Sequence, residues 1–119
     1  MQEVILKPEN LDFRSKEAFK TLRTNIEFSG NKIKCVFFTS TIPNEGKSTV
    51  AFETAASFAE SGKKTLFVDG DLRKSVLKHR YKTERIQFGF SHYLIGKNEL
   101  DDVVCKTNTP NLFLVARHH

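Results

Sequence analysis

The sequence lacks the features of secreted and membrane proteins. Only two cysteines occur among 119 residues, too few for the disulfide framework of a small secreted domain. No stretch approaches the roughly 18 consecutive apolar residues of a membrane-spanning helix, and the opening Met1-Gln2-Glu3 begins no signal peptide. These absences predict an intracellular protein. A length of 119 residues suffices for one small domain.

The charge balance is basic, with a formal net charge of +5. Much of this charge lies in a basic cluster at residues 73–85. A basic patch can follow the phosphates of a nucleic acid, but no aromatic platform for stacking bases surrounds this cluster. We therefore favour a solvated face, or one that meets an acidic partner tail, and do not expect nucleic-acid binding. The cluster comprises Arg73, Lys74, Lys78, His79, Arg80, Lys82 and Arg85.

Residues 40–49, S-T-I-P-N-E-G-K-S-T, are the most informative part of the chain. They follow the apolar run at 35–38 and precede a segment that reads as a helix from Val50, so they predict a strand, a tight loop and a helix. Backbone N–H groups at the helix start have no intrahelical partner and can cradle phosphate oxygens. Gly46 lets the backbone approach them, Lys47 supplies charge to the β- and γ-phosphates, and the Ser48 hydroxyl ligates Mg²⁺.

The loop departs from the usual G-x-x-x-x-G-K-[ST] pattern because Thr41 takes the place of its first glycine. The alternative is an ordinary strand-turn-helix connection that happens to carry Gly-Lys-Ser. We favour a nucleotide site. Its expected cofactor-binding residues are Thr41, Asn44, Glu45, Gly46, Lys47, Ser48 and Thr49.

A second motif, T-L-F-V-D-G-D-L-R at residues 65–73, supports this interpretation. Its first four residues suit a buried strand, and a helix of crossover length that ends near Gly62 separates it from the first strand. The two strands should therefore be parallel, which places Asp69 near the phosphate loop as a metal organiser or general base. Alternatively, Asp69 and its neighbour Asp71 merely cap the next helix.

The remaining elements are predicted from periodicity and turn residues. Residues 15–29 have Phe19, Leu22 and Ile26 on one helical face. We expect short helices at 88–95 and 100–106, the second carrying Cys105. A third apolar strand at 112–116 follows the turn Thr109-Pro110-Asn111.

Together, the two motifs resemble the bacterial tyrosine kinases of capsule and exopolysaccharide synthesis, which are P-loop proteins related to the MinD/ParA ATPases. In that family, Gly46-Lys47-Ser48-Thr49 matches the Walker A motif, and Asp69-Gly70-Asp71-Leu72-Arg73 matches the Walker A′ motif. Ile42 stands where MinD/ParA proteins carry an early lysine, which favours the kinase branch. The resemblance implies an α/β fold with a parallel P-loop-type sheet and flanking helices, and ATP with Mg²⁺ as cofactors.

The resemblance also implies the roles of individual residues and the partners. Lys47, Asp69 and Asp71 would be catalytic, with Ser48 and Asp69 on the metal. The family's E-x-x-R-x-x-R helix, which joins subunits into a ring, matches Glu17, Lys20 and Arg23, with lysine replacing one arginine. The resemblance further implies a cytoplasmic kinase. A membrane-spanning activator, a polysaccharide co-polymerase, would recruit it to the inner face of the membrane.

The family comparison also predicts that the chain is a fragment. No later apolar run ends in Asp, so the Walker B carboxylate is missing, as is the tyrosine cluster at which these kinases autophosphorylate. We expect an extended segment at 1–14 and a partial kinase domain at 15–119, ending in Arg117-His118-His119, which we interpret as a truncation, a frameshift or a tag remnant. A MinD/ParA-like ATPase switch and a catalytically inert nucleotide-binding fragment remain the alternatives.

Overall fold

A four-stranded sheet connects the two ends of the described chain, which comprises residues 1–7, 11–30, 36, 47–69 and 86–116 of a computed structural model. The strand order is β1-β3-β4-β2. β1 pairs with β3 and β2 with β4 in parallel, whereas β3 and β4 are antiparallel. The strands are β1 (Gln2–Val4), β2 (Thr65–Val68), β3 (Val104–Thr107) and β4 (Leu112–Val115).

The α/β class is confirmed, and the predicted strands at 65–68 and 112–116 are present and parallel to each other. One antiparallel pair was not expected. The antiparallel pair includes β3, which the sequence analysis had placed in a helix. The helix expected at 100–106 was wrong in its second half, because a short helix ends at Val103 and β3 begins at Val104. β3 then turns through Thr109 to Asn111, whose φ of 68° is left-handed, and returns as β4.

The described helices are α1 (Phe13–Ser29), α2 (Lys47–Glu60), α3 (Phe90–Leu94) and α4 (Leu100–Val103). α1 confirms the helix predicted at 15–29 and begins two residues earlier, because Asp12 caps it. The Asp12 Oδ1 accepts a hydrogen bond from the Ser15 backbone N–H at 2.7 Å, and this bond lowers the pKa of the Asp12 carboxyl. No described helix is both long and apolar enough to cross a lipid bilayer.

Gly62 closes α2 as predicted, two residues after the helix ends at Glu60. This glycine has a φ of +96°, and its N–H donates to the Ala59 carbonyl at 3.0 Å. The Lys63 N–H donates to the Phe58 carbonyl at 3.2 Å, so the turn satisfies carbonyls that the helix end leaves free. The chain then enters β2 at Thr65, and α2 packs on that strand.

The core lies between α2 and one face of the sheet. Phe52 of α2 and Phe67 of β2 meet edge to face with ring centroids 5.3 Å apart, and both side chains are buried. Leu114 of β4 and Cys105 of β3 continue the same face and are fully buried. α1 packs on α2 as an outer layer with no fully buried residue of its own, and its predicted apolar residues Phe19, Leu22 and Ile26 are half-buried.

Several predictions fall outside the described residues. They concern the strand at 35–38 apart from Val36, the loop at 40–46, the basic cluster at 73–85, and the terminal residues 117–119.

Candidate nucleotide site

The direction of α2 decides where its N-terminus lies. Near the helix C-terminus, the Ala59 carbonyl accepts a hydrogen bond of 3.4 Å from the side-chain Nδ2 of Asn111, which directly precedes β4. Nearer the N-terminus, Phe52 contacts Phe67, close to the end of β2. α2 therefore runs antiparallel to β2 and β4, and its first residue, Lys47, lies toward the carboxyl ends of both strands. In open α/β sheets, ligands bind outside this edge.

Asp69 marks the same edge. It directly follows β2, and its N–H donates to the Val115 carbonyl at 2.9 Å, which extends the β2–β4 pairing by one bond. Only 3% of Asp69 is exposed. A carboxylate is rarely this buried in a protein without a structural or chemical role.

α3 begins at this edge as well. The Phe90 N–H donates to the Ala116 carbonyl at 2.8 Å, directly after β4. The start of α2, Asp69 and the start of α3 thus surround the carboxyl ends of one parallel strand pair. The first turn of α2 can offer backbone N–H donors and Asp69 a buried carboxylate, a combination suited to phosphate with an oxygen-seeking cation.

The structure places some of the predicted site residues and leaves the others outside its described part. Lys47, Ser48 and Thr49 form the first turn of α2, where the backbone alone is described. Asp69 is brought to the same sheet edge. Within the ranges that the structure describes, no three His, Cys, Asp or Glu side chains are grouped as a metal site. The predicted site residues outside the described part are Thr41, Asn44, Glu45, Gly46 and Asp71.

Sequence reasoning missed a set of buried polar residues on α2. Glu53, Thr54 and Ser57 are each less than 8% exposed, although the surrounding segment reads as an apolar helix. The Thr54 hydroxyl donates to the Val50 carbonyl at 2.7 Å, which satisfies it locally. The sequence signal for these buried polar residues is the Glu53-Thr54 pair, which interrupts an apolar segment between Phe52 and Ala55 on the side of α2 that packs against other elements.

Ser57 contacts α1 through Arg23. The Arg23 Nη1 donates to the Ser57 carbonyl at 2.9 Å and to its hydroxyl at 3.2 Å. Glu27 lies between two cations, with carboxylate oxygens 3.5 Å from the Arg23 Nε and 2.9 Å from the Lys63 Nζ. The Nε is buried and has no hydrogen-bond partner among the described residues, so the Arg23–Glu27 contact is an ion pair without hydrogen-bond geometry. We call Arg23, Ser57, Glu27 and Lys63 the α1–α2 clamp.

The three residues expected to join subunits therefore differ in their surroundings. Glu17 and Lys20 form an ion pair of 3.6 Å on the outer side of α1, and each side chain is 47% exposed. The Arg23 side chain is only 19% exposed and already has partners on α2. Self-association through this helix stays a prediction, with Glu17 and Lys20 as its accessible residues.

Comparison with known proteins relates this site to a protein family. No family model matches the chain. The tyrosine-protein kinase CpsD of Streptococcus agalactiae is 41% identical over 102 residues, which cover 86% of the chain and 44% of that protein. The tyrosine-protein kinase YwqD of Bacillus subtilis is 39% identical over 98 residues, covering 81% of the chain and 41% of the relative.

Solved structures give the same answer. The kinase domain of the Escherichia coli tyrosine kinase ETK superimposes with a TM-score of 0.73 at 28% identity, covering 92% of the chain and 46% of that domain. The chimerical protein CapA2B2 superimposes with a TM-score of 0.72 at 27% identity, over 97% of the chain and 54% of the chimera. The chain thus spans less than half the length of the curated relatives it matches. Over that length, the chain belongs to the family of bacterial tyrosine kinases.

Proposed function

We propose that the chain is the ATP-binding portion of a cytoplasmic protein-tyrosine kinase that regulates capsule or exopolysaccharide synthesis. The observation that carries the proposal is the buried carboxylate of Asp69 at the sheet edge toward which the first turn of α2 points. The relatives named tyrosine-protein kinases support the reaction class. In the proposed division, residues 15–119 are a partial kinase domain. The rest of such a domain corresponds to the parts of the relatives that this chain does not match.

The proposed chemistry is transfer of the γ-phosphoryl group of ATP to a tyrosine hydroxyl. Backbone N–H groups of the loop and the first turn of α2 hold the phosphates, and the Lys47 ammonium offsets charge on the β- and γ-phosphates. Asp69 accepts the proton of the attacking hydroxyl or orients a metal-bound water, and Asp71 lies two residues farther along. The loop residues assigned to the nucleotide are Thr41, Asn44, Glu45, Gly46, Ser48 and Thr49.

The oxygen donors at this edge suit Mg²⁺, which prefers hard oxygen ligands and keeps several waters when it binds nucleotides. In the proposed site, the Ser48 hydroxyl and the Asp69 carboxylate hold the ion. When bound, it supplies neutralisation of phosphate charge. The burial of Asp69 fits this role, because a dry carboxylate interacts with a cation more strongly than an exposed one does.

The proposed partners follow the family. A membrane-spanning activator would recruit the kinase to the inner face of the membrane. The name of the CapA2B2 chimera joins two components and is in keeping with a kinase that acts with a second protein. Contacts between kinase subunits are proposed to use Glu17 and Lys20, which are exposed on α1.

Calorimetry with Mg²⁺-ATP tests the proposal. We expect the chain to bind, and Lys47→Met to weaken binding by at least about tenfold, because the phosphates lose a cation. Lys64→Met is the matched control, since Lys64 is exposed at the opposite end of α2 and should leave affinity unchanged. Equal binding by chain and Lys47→Met would contradict the phosphate-loop assignment.

A second assay separates kinase from ATPase switch. A full-length relative that carries this segment should form phosphotyrosine when it is incubated with Mg²⁺-ATP. Release of inorganic phosphate without phosphotyrosine would instead favour a MinD/ParA-like switch. If the chain binds ATP but gives neither product, the segment alone is an inert nucleotide-binding fragment.

A further inference from the structure

A histidine ring closes the turn that leads into α3. Gly89 is the N-cap residue of α3, and its backbone N–H donates to the Nδ1 of His92 at 3.0 Å. The His92 ring meets the Phe88 ring edge to face, with centroids 5.8 Å apart, and this contact orients it. An imidazole nitrogen that accepts a hydrogen bond carries no proton, so the neutral ring holds its proton on Nε2. We call the bond from the Gly89 N–H to the His92 Nδ1 the α3 cap bond.

The α3 cap bond satisfies a donor inside the protein. Gly89 is buried, and His92 supplies the acceptor that its N–H has among the described residues. The position three residues after an N-cap usually carries Glu or Gln when it accepts such a bond. Histidine differs from both of these in one respect, because imidazoles change their charge between about pH 5 and 8 while the amide of Gln does not titrate.

We propose that the α3 cap bond is a pH-sensitive switch on the segment that leads to the edge of the candidate nucleotide site. The neutral imidazole accepts the Gly89 N–H and holds the turn closed. When the Nδ1 lone pair takes up a proton from solvent, the acceptor becomes a donor, and two N–H groups then face each other. The bond opens, and a buried N–H is left to find another acceptor.

Opening of the α3 cap bond acts on the strand edge through α3. Phe90, which directly follows Gly89, donates its N–H to the Ala116 carbonyl just after β4. The first turn of α3 thus loses one of the bonds that hold it beside this edge, while the bonds of Gln2 to Phe88 remain. The inference goes beyond the proposed function, because it concerns no residue assigned there to the nucleotide or the metal.

Other charged groups lie near the switch, so a test must separate their titration from that of His92. α4 packs on α3 and is acidic, whereas the contacts from Gln2 and Ala116 are uncharged. The backbone N–H after α3 that donates to the His92 carbonyl at 2.9 Å belongs to a lysine. The titratable groups on these elements are Glu99, Asp101 and Asp102 at α4, and Tyr93 and Lys97 in and after α3.

Amide exchange followed by NMR spectroscopy tests the proposal on the whole chain without nucleotide. After correction for the intrinsic pH dependence of exchange, protection of the Gly89 amide should fall at least about tenfold from about pH 7.5 to about pH 5.5, because the α3 cap bond is lost. Amides of β2 are the internal control and should keep their protection. Imidazole nitrogen-15 shifts should show an unprotonated Nδ1 at the higher pH.

Substitutions separate the charge of the ring from its shape. His92→Gln keeps an acceptor that does not titrate, so Gly89 should stay protected at both pH values. His92→Phe keeps an aromatic ring beside Phe88 but has no acceptor, so Gly89 should exchange rapidly at both. Asp102→Asn is the control for the acidic groups. It removes a charge from α4 and keeps an oxygen acceptor for the Glu99 N–H, so the fall at low pH should persist.

Four results would overturn the proposal. The first is equal protection of Gly89 at the two pH values in the unsubstituted chain. The second is an equal fall in His92→Gln, which would assign the titration to another group. The third is a loss of protection shared by the β2 amides, which would show general unfolding, and the fourth is a protonated Nδ1 at the higher pH. If His92→Phe does not fold, the comparison of the unsubstituted chain with His92→Gln decides alone.

Discussion

Cys105 occupies the centre of the sheet, in β3, with none of its surface exposed. Burial raises the pKa of its thiol to about 11 from an ordinary value of 9.0, because the apolar surroundings disfavour the thiolate. The neutral thiol therefore favours folding below the ordinary value, and this contribution is lost as the pH rises through about 11. At this position the thiol acts as a small apolar side chain.

We expect Cys105 to be inert toward alkylation in the folded chain. At pH 8 only about one thiol in a thousand would be ionised, and the thiolate is the reactive form. In a Cys35→Ser background, which leaves a single thiol, iodoacetamide should react at least about 100-fold more slowly in buffer than in urea. A native rate close to the rate in urea would show that the thiol is not sealed in the sheet.

The placement of Cys105 also shows what the sequence could not reveal. Residues 100–106 were expected to form one helix, but the structure divides them between α4 and β3. Val104 favours a strand locally, yet the decisive interactions are distant: Cys105 pairs with Gln2 on one side and with Leu114 on the other. Pairing between distant segments leaves no periodicity within a seven-residue stretch.

At the scale of helices and strands, local signals were sufficient where an element depends on its own residues. Gly62 and the apolar run at 65–68 correctly predicted where α2 is closed and where β2 lies, and Gly62 has the left-handed φ of a helix-closing glycine. They also placed Asp69 at the carboxyl end of a parallel strand. They could not predict the α1–α2 clamp, because a charged stripe on a helix is identical in sequence whether it faces water or another helix.

The clamp gives a prediction for the contact between α1 and α2. Arg23→Ala should lower the free energy of unfolding by about 1–2 kcal/mol, since it removes two hydrogen bonds from a mostly buried guanidinium. Lys20→Ala, which removes an exposed ion pair one turn away, should change the free energy of unfolding by less than about 0.5 kcal/mol. Urea denaturation measures both values.

An equal change in the free energy of unfolding for Arg23→Ala and Lys20→Ala would contradict a stabilising role of the clamp. So would a loss of self-association in Arg23→Ala without any change in stability, because that result would assign Arg23 to a subunit contact. Arg23→Lys keeps the charge but not the planar fork, so we expect an intermediate loss.

At the scale of the whole molecule, the first strand ties together segments more than 80 residues apart. The Gln2 amide group accepts hydrogen bonds from the N–H groups of Gln87 and Phe88 at 2.7 and 3.0 Å. It donates to the carbonyls of Phe88 and Val103 at 2.9 and 3.3 Å. One side chain thus fixes the approach to α3, whose first N–H bonds to the strand edge that bears the candidate site.

We therefore expect Gln2→Ala to loosen this approach far along the chain from the substitution. The N–H groups of Gln87 and Phe88 lose their acceptor, so their hydrogen exchange should accelerate by about tenfold, whereas amides of α1 should be unaffected. Glu3→Ala is the matched control on β1, because Glu3 is exposed and should leave exchange at both positions unchanged. If the two variants gave the same exchange rates, β1 would hold the segment through strand pairing alone. Faster exchange in Gln2→Ala only would show that a single polar side chain, invisible to hydrophobic periodicity, connects the start of the chain to the edge of the candidate nucleotide site.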